Sequence, residues 1–164
     1  APRATARAGG EACGLSDEAL ERLEGLIAKA ARVCLRVRGE ALQMQAKEDE
    51  SPVTVADYAV QALVARHLAR NFAGVPLVAE EEADAFRAAP QSLRTAVAET
   101  VAHAEGIAEL APSDLTDAFE ASSSSTDEDF FFVLDPIDGT RGFILGGDAQ
   151  YTLGLGIVSN TGDA

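Results

Sequence analysis

Residues 130–143 read FFFVLDPIDGTRGF, and the reading of the whole chain works outward from them. Phe131 to Leu134 are an apolar, aromatic and β-branched run closed by Pro and Gly, the pattern of a short buried strand. Such a strand delivers Asp135 to its carboxyl end, out of the core. Pro136 fixes φ and gives up its N–H, so the chain turns there. Asp138 then brings a second carboxylate to the same mouth. Gly139 lets the backbone approach a ligand closely, and Thr140 offers a hydroxyl and, at the start of a helix, a free N–H. Two carboxylates this close repel unless a cation lies between them. Hard oxygen donors with no Cys or His nearby select Mg²⁺ over Zn²⁺. Asp-Pro and Asp-Gly are also ordinary turn dipeptides, so this stretch alone leaves a plain structural turn open.

The composition sets bounds around that stretch. The chain has 164 residues, enough for one domain with a real core. It carries 27 Asp and Glu against 13 Lys and Arg, a formal net charge of −14. A phosphate backbone needs a basic face, so nucleic acid is not expected as a partner. No apolar run reaches the length of a membrane span, so no membrane partner is expected either. An anionic substrate would be repelled unless bound cations reverse the local field. The acidity thus fits a Mg²⁺-dependent phosphate site, and it fits a merely soluble protein equally well. Cys13 and Cys34 make neither a disulfide framework nor a zinc site. Cys34 falls at a helical apolar position and reads as a buried thiol.

Residues 1–15 read as a flexible tail rich in Ala, Arg and Gly, with Glu11 its only acid. A transit-peptide remnant would look like this and would place the protein in a chloroplast or mitochondrion. A disordered tail reads equally well and leaves the cytoplasm open. Residues 16–164 read as one metal-binding α+β domain. Ser16 caps a helix whose buried stripe is Leu20, Leu23, Ile27, Ala30, Cys34 and Val37, stopping at Gly39. Ala41 to Glu50 reads as a short strand or edge running into a loop.

Ser51 to Asp57, SPVTVAD, is the second informative segment. Pro52 disfavours helix before it, Thr54 reads as an N-cap, and Asp57 three residues later completes a capping-box pattern. Asp57 is then either a structural cap or a carboxylate held toward a metal or water, and spacing alone does not decide. Val75 to Ala79 is a second short strand, and it too opens onto acids, Glu80-Glu81-Glu82. Ligands gather at the carboxyl ends of strands in open α/β sheets. Residues 84–129 read as an insertion with a helix over Leu93–Ala104 and a second one capped by Ser113, followed by the low-complexity run Ser122 to Asp129. His67 and His103 each stand alone and read as surface or packing residues. Tyr151 to Val158 is a strand, and Ser159 to Asp163 reads as a hairpin turn whose partner strand is absent. The open edge offers a route to self-association.

Three segments, SPVTVADYAVQ, LVAEEEADAFR and VLDPIDGTRGF, resemble in order and spacing the lithium-sensitive, Mg²⁺-dependent phosphatases of the inositol monophosphatase and fructose-bisphosphatase superfamily. Within it they are most similar to plant-type 3′(2′),5′-bisphosphate nucleotidases. The resemblance covers about residues 16 to 158. It implies a layered α+β sandwich and hydrolysis of the 3′-phosphate of adenosine 3′,5′-bisphosphate to AMP, which removes a by-product of sulfur assimilation. The alternatives are an inositol polyphosphate 1-phosphatase-like activity and a non-catalytic, truncated metal- and phosphate-binding fragment. Carried over by position, the resemblance assigns one Mg²⁺ to Glu80, Asp135 and the carbonyl of Ile137. It assigns a second to Asp135 and Asp138, within a site of two or three ions. Asp57 and Thr140 would orient and deprotonate the attacking water, and the N–H groups of Gly139 and Thr140 would hold the phosphate. Two departures stand out. Leu145 occupies a place where a basic residue is common, before a longer Gly146–Ala149 loop. A WDxAAG-like motif, which completes the second metal site in the family, has no counterpart here. The second site is thus incomplete, and these residues alone are expected to be a weak Mg²⁺ binder with little or no activity.

Overall fold

The computed structural model describes residues 15–43, 52–123, 130–145 and 149–159. Along the chain they form α1 (Asp17–Gln43), α2 (Pro52–Asn71), β1 (Leu77–Ala79), α3 (Ala83–Ala88), α4 (Gln91–Glu105), α5 (Pro112–Glu120), β2 (Ser122–Ser123), β3 (Phe130–Asp138), α6 (Thr140–Leu145) and β4 (Thr152–Ser159). The architecture is α+β: a helix-rich layer over a four-stranded sheet of order β2-β1-β3-β4. The first three strands run parallel and β4 returns antiparallel to β3.

α2 is the element the others pack on. Ala56, Tyr58, Ala59, Val60, Gln61, Ala62, Leu63, Val64, Ala65 and Leu68 are all buried. A helix that is apolar nearly all round must be covered on every side. α1, α4, β3 and α5 all pack against it. The stripe of α1 that meets it is Leu23, Leu26, Ala30, Val33, Cys34 and Val37, so Leu26 and Val33 join the expected residues while Leu20 and Ile27 are only half-buried. Ser16 caps α1 as expected, its Oγ accepting from the Ala19 N–H at 3.2 Å. Tyr58, Phe86 and Phe119 stack with ring centroids 4.7 to 5.5 Å apart and tie α2, α3 and α5 together. Each such ring, fully buried, stabilises the fold by roughly 1.5–3 kcal/mol. The Glu105 carboxylate joins α4 to α2 through Arg66 at 2.9 Å and Arg70 at 3.0 Å.

Several local expectations are corrected. α1 does not stop at Gly39 but runs on to Gln43, so Ala41–Gln43 is helix and not strand. One glycine costs a helix interior only about 1 kcal/mol, and tertiary packing outweighs it. α2 starts at Pro52, which places Thr54 inside the first turn and removes the capping-box reading of Thr54 and Asp57. Proline suits the first helical position because its missing N–H would have no partner there. For the same reason α5 starts at Pro112, with Ala111 and not Ser113 as its cap. The Asp114 carboxylate accepts from the Ala111 N–H at 3.1 Å. β1 is shorter than expected, Leu77–Ala79, although the Pro76 carbonyl still accepts from the Phe132 N–H at 2.9 Å. α3 and β2 were not foreseen. The N-terminal tail with Cys13, residues 44–51, residues 124–129, the Gly146–Asp148 loop and the expected turn beyond Ser159 lie outside the described residues. No described helix is long and apolar enough to cross a membrane.

Candidate metal and phosphate site

β1 and β3 are parallel neighbours, with Leu77 opposite Phe132, Val78 opposite Val133 and Ala79 opposite Leu134. The next residue on each strand is an acid. Glu80 and Asp135 therefore leave the same end of the sheet side by side, as the two acid-ended strands predicted.

The strand does not end at Asp135 but continues to Asp138, and its pairing with β4 slips between those two residues. Asp135 faces Gly154 and Asp138 faces Thr152, so Pro136 and Ile137 together oppose one residue, Leu153. In a regular strand, residues three apart point to opposite faces. A bulge of two residues against one re-phases the strand. Here Pro136 and Ile137 are both buried, and Asp135 and Asp138 are both exposed. Pro136 has no N–H to give to the ladder, which suits it to this bulge.

Beyond Asp138 the chain turns through Gly139, whose φ of +87° is open to glycine and costly for other residues. The Gly139 carbonyl accepts from the N–H groups of Gly142 at 2.7 Å and Phe143 at 3.1 Å, starting α6. Thr140 is the first residue of that helix, so its own N–H has no intrahelical acceptor. The chain returning into β4 presses on this turn. A Cβ on Gly142 would lie 1.8 Å from the Gln150 carbonyl oxygen, and one on Gly139 would lie 3.2 Å from it. Phe143, buried, packs edge-on against Tyr151 at 5.1 Å. The Arg38 guanidinium lies over the Tyr151 ring at 5.9 Å.

α2 supplies the third side of the site. Asp57 lies past the first turn of this helix, half-buried, and its carboxyl is pushed up to about 7. Burial is the main cause, followed by the negative charges of Glu81, Glu80 and Asp135. Asp57 thus feels the charges of Glu81, Glu80 and Asp135 across the mouth of the sheet. Burial, then the field of Asp57, likewise pushes the Cys34 thiol up to about 12, so Cys34 packs as a neutral apolar residue.

Two residues of α2 that the sequence reading did not single out hold this arrangement. Gln61 is fully buried, and its amide clamps the backbone of Glu81. Its Nε2 donates to the Glu81 carbonyl at 2.6 Å and its Oε1 accepts from the Glu81 N–H at 2.9 Å. The Tyr58 hydroxyl interacts with the Glu81 carboxylate. Burial raises the Glu81 carboxyl, the tyrosine opposes that rise, and Glu80 adds to it. The available signal was a glutamine inside an otherwise apolar helical run.

The groups brought together at this mouth are carboxylates, and oxygen donors of that kind fit a hard cation such as Mg²⁺. Among the described residues, no three His, Cys, Asp or Glu side chains close around one point.

A model of the inositol monophosphatase family matches residues 16–162. The 3′(2′),5′-bisphosphate nucleotidase 1 of Arabidopsis thaliana is 38% identical over 141 residues, which covers 79% of this chain and 39% of that protein. The 3′,5′-bisphosphate nucleotidase 2 of the same plant is 38% identical over 141 residues, covering 79% of this chain and 40% of that protein. The 3′(2′),5′-bisphosphate nucleotidase of Schizosaccharomyces pombe is 35% identical over 125 residues, covering 70% of this chain and 34% of that protein. The chain therefore spans 34% to 40% of the length of these curated relatives.

Proposed function

This chain belongs to the inositol monophosphatase family, and on that premise we propose that it carries the metal and phosphate site of a Mg²⁺-dependent 3′(2′),5′-bisphosphate nucleotidase. The reaction is hydrolysis of the 3′-phosphate of adenosine 3′,5′-bisphosphate to AMP and phosphate. The observation that carries the reading is the side-by-side exit of Glu80 and Asp135 from parallel strands, with the bulge exposing Asp138 beside them. The names of the three relatives supply the substrate class.

In this reading Glu80, Asp135 and the Ile137 carbonyl would hold one Mg²⁺, and Asp135 and Asp138 would contribute to a second. Bound metal supplies a water of lowered pKa and neutralises charge on the leaving oxygen. The chain's own groups do the rest. Asp57 and the Thr140 hydroxyl orient the attacking water, and Asp57 takes its proton. The N–H groups of Gly139 and Thr140 donate to the phosphate oxygens where negative charge grows. Gln61 and Tyr58 fix the strand end that carries Glu80.

The test is phosphate release by the natural gene product that carries this sequence. Adenosine 3′,5′-bisphosphate is compared with inositol 1-phosphate, with Mg²⁺ present and after chelation. The reading expects Mg²⁺-dependent turnover with preference for the nucleotide. Turnover that survives chelation, or a preference for the inositol phosphate, would contradict it.

A further inference from the structure

The bases of this acidic chain are not evenly spread. Lys29, Arg32 and Arg36 recur at three- and four-residue spacing on α1, so they share one face of that helix. The facing turns of α4 bring Thr100 and His103. With Val33 and Ala104 these residues line a cavity of about 220 Å³, and no carboxylate is among the lining residues. None of them belongs to the acidic cluster at the sheet mouth.

The charges in this groove are poorly matched by the protein. Glu40 accepts from the Arg36 Nε at 2.7 Å. The Nη1 of the same guanidinium is shut off from solvent and has no hydrogen-bond acceptor. A buried donor left without an acceptor is costly, and a charged one more so. The Thr100 hydroxyl already donates to the Ala96 carbonyl at 2.7 Å, so the donors left to the groove are the basic side chains. Of the groove's bases, Lys29 also acts on His67 of α2. Burial lowers its imidazole pKa, and Lys29, Arg70 and Arg22 lower it further, against the opposing pull of Glu105.

We propose that the groove between α1 and α4 binds a small tetrahedral oxyanion of the phosphate or sulfate class, held by Arg36, Arg32, Lys29 and His103. Guanidinium donors match such an ion in geometry as well as charge, and the volume admits a phosphoryl or sulfate group with room beside it for water or a small organic substituent. The cavity requires no metal, which separates it from the carboxylate mouth.

The test is run in chelator, where the carboxylate mouth repels anions. The probes are inorganic sulfate, inorganic phosphate and AMP, titrated against chloride at equal ionic strength. The chain has two histidines, so the ring-proton resonances of His103 can be told from those of His67 by NMR. The proposal expects a saturable shift at His103 that exceeds any at His67, which senses the groove only through Lys29. It expects half-saturation at an about tenfold or greater concentration in Arg32→Gln/Arg36→Gln, the equivalent of one charge-assisted hydrogen bond. Lys29→Gln alone gives a milder loss in the same direction, and Arg87→Gln, on α3, changes nothing. AMP acting at about tenfold lower concentration than phosphate identifies a phosphomonoester as the ligand, and an equal response identifies the free ion. A His103 shift that chloride reproduces, or equal saturation in wild type and both groove variants, overturns the proposal.

Discussion

Gly142 lies so close to Gln150 that a Cβ on the glycine would meet the Gln150 carbonyl oxygen at 1.8 Å. The contact is backbone against backbone, so no side chain can rotate away. It fixes α6 against the entry to β4 and so sets the angle at which Gly139 and Thr140 face the mouth of the sheet. Gly142→Ala is expected to cost about 1–3 kcal/mol, the usual range for overpacking. A urea unfolding curve checks this. The substitution should also weaken phosphate retention in Mg²⁺, because it moves the turn that carries the Thr140 N–H. A variant as stable as the parent would show that the two segments part easily.

Gln61 makes both hydrogen bonds to the Glu81 backbone from a fully buried position. Gln61→Leu keeps the volume and leaves the Glu81 N–H and carbonyl without these partners. The expected loss is about 1–3 kcal/mol of stability, together with weaker Mg²⁺ binding, because Glu80 is the adjacent residue. Calorimetric titration of both chains with Mg²⁺ separates the two effects. Lost stability with unchanged Mg²⁺ affinity would make Gln61 a structural residue alone.

Much of this was legible from periodicity and much was not. Phe132 and Leu134 are buried in a strand where an apolar run predicted one, and Leu93, Val97 and Val101 form the buried face of α4. The adjacency of β1 and β3 followed from two apolar runs that both open onto acids. The start of α2 was misplaced because proline is compatible both with the residue before a helix and with its first position. α3 has six residues, too few to show a period, and Phe86 is its single buried anchor. The bulge at Pro136-Ile137 is set by pairing with a strand well downstream, which no local pattern encodes. For that reason the shared exposure of Asp135 and Asp138 needed the fold to explain it.

Asp57 gives the metal-free protein a pH dependence of defined sign. Its carboxyl rises from 3.8 to about 7 on folding, through burial first and then Glu81, Glu80 and Asp135. A raised acid favours the folded state fully below 3.8, and that contribution is lost as pH climbs through about 7. Stability in chelator is therefore expected to fall between about pH 4 and pH 7. Glu105, held below its ordinary range by Arg66 and Arg70 against the pull of burial, acts with the opposite sign and at lower pH. Asp57→Asn should flatten the slope and stabilise the metal-free chain at pH 8. Thermal melts across that range check it, and an unchanged slope in the variant would assign the dependence to another group.

In the reading proposed above, the acids at the carboxyl ends of β1 and β3 form a Mg²⁺ site, with Asp135 common to both ions. The most direct measurement is calorimetric titration of this chain with Mg²⁺, set beside Asp135→Asn. The account predicts saturable binding by the parent and an affinity at least about tenfold lower in the variant, a loss of 1.4 kcal/mol or more. It also predicts that the variant without metal is no less stable, because an exposed carboxylate among other acids has been made neutral. Equal Mg²⁺ affinity in the two chains would contradict the account.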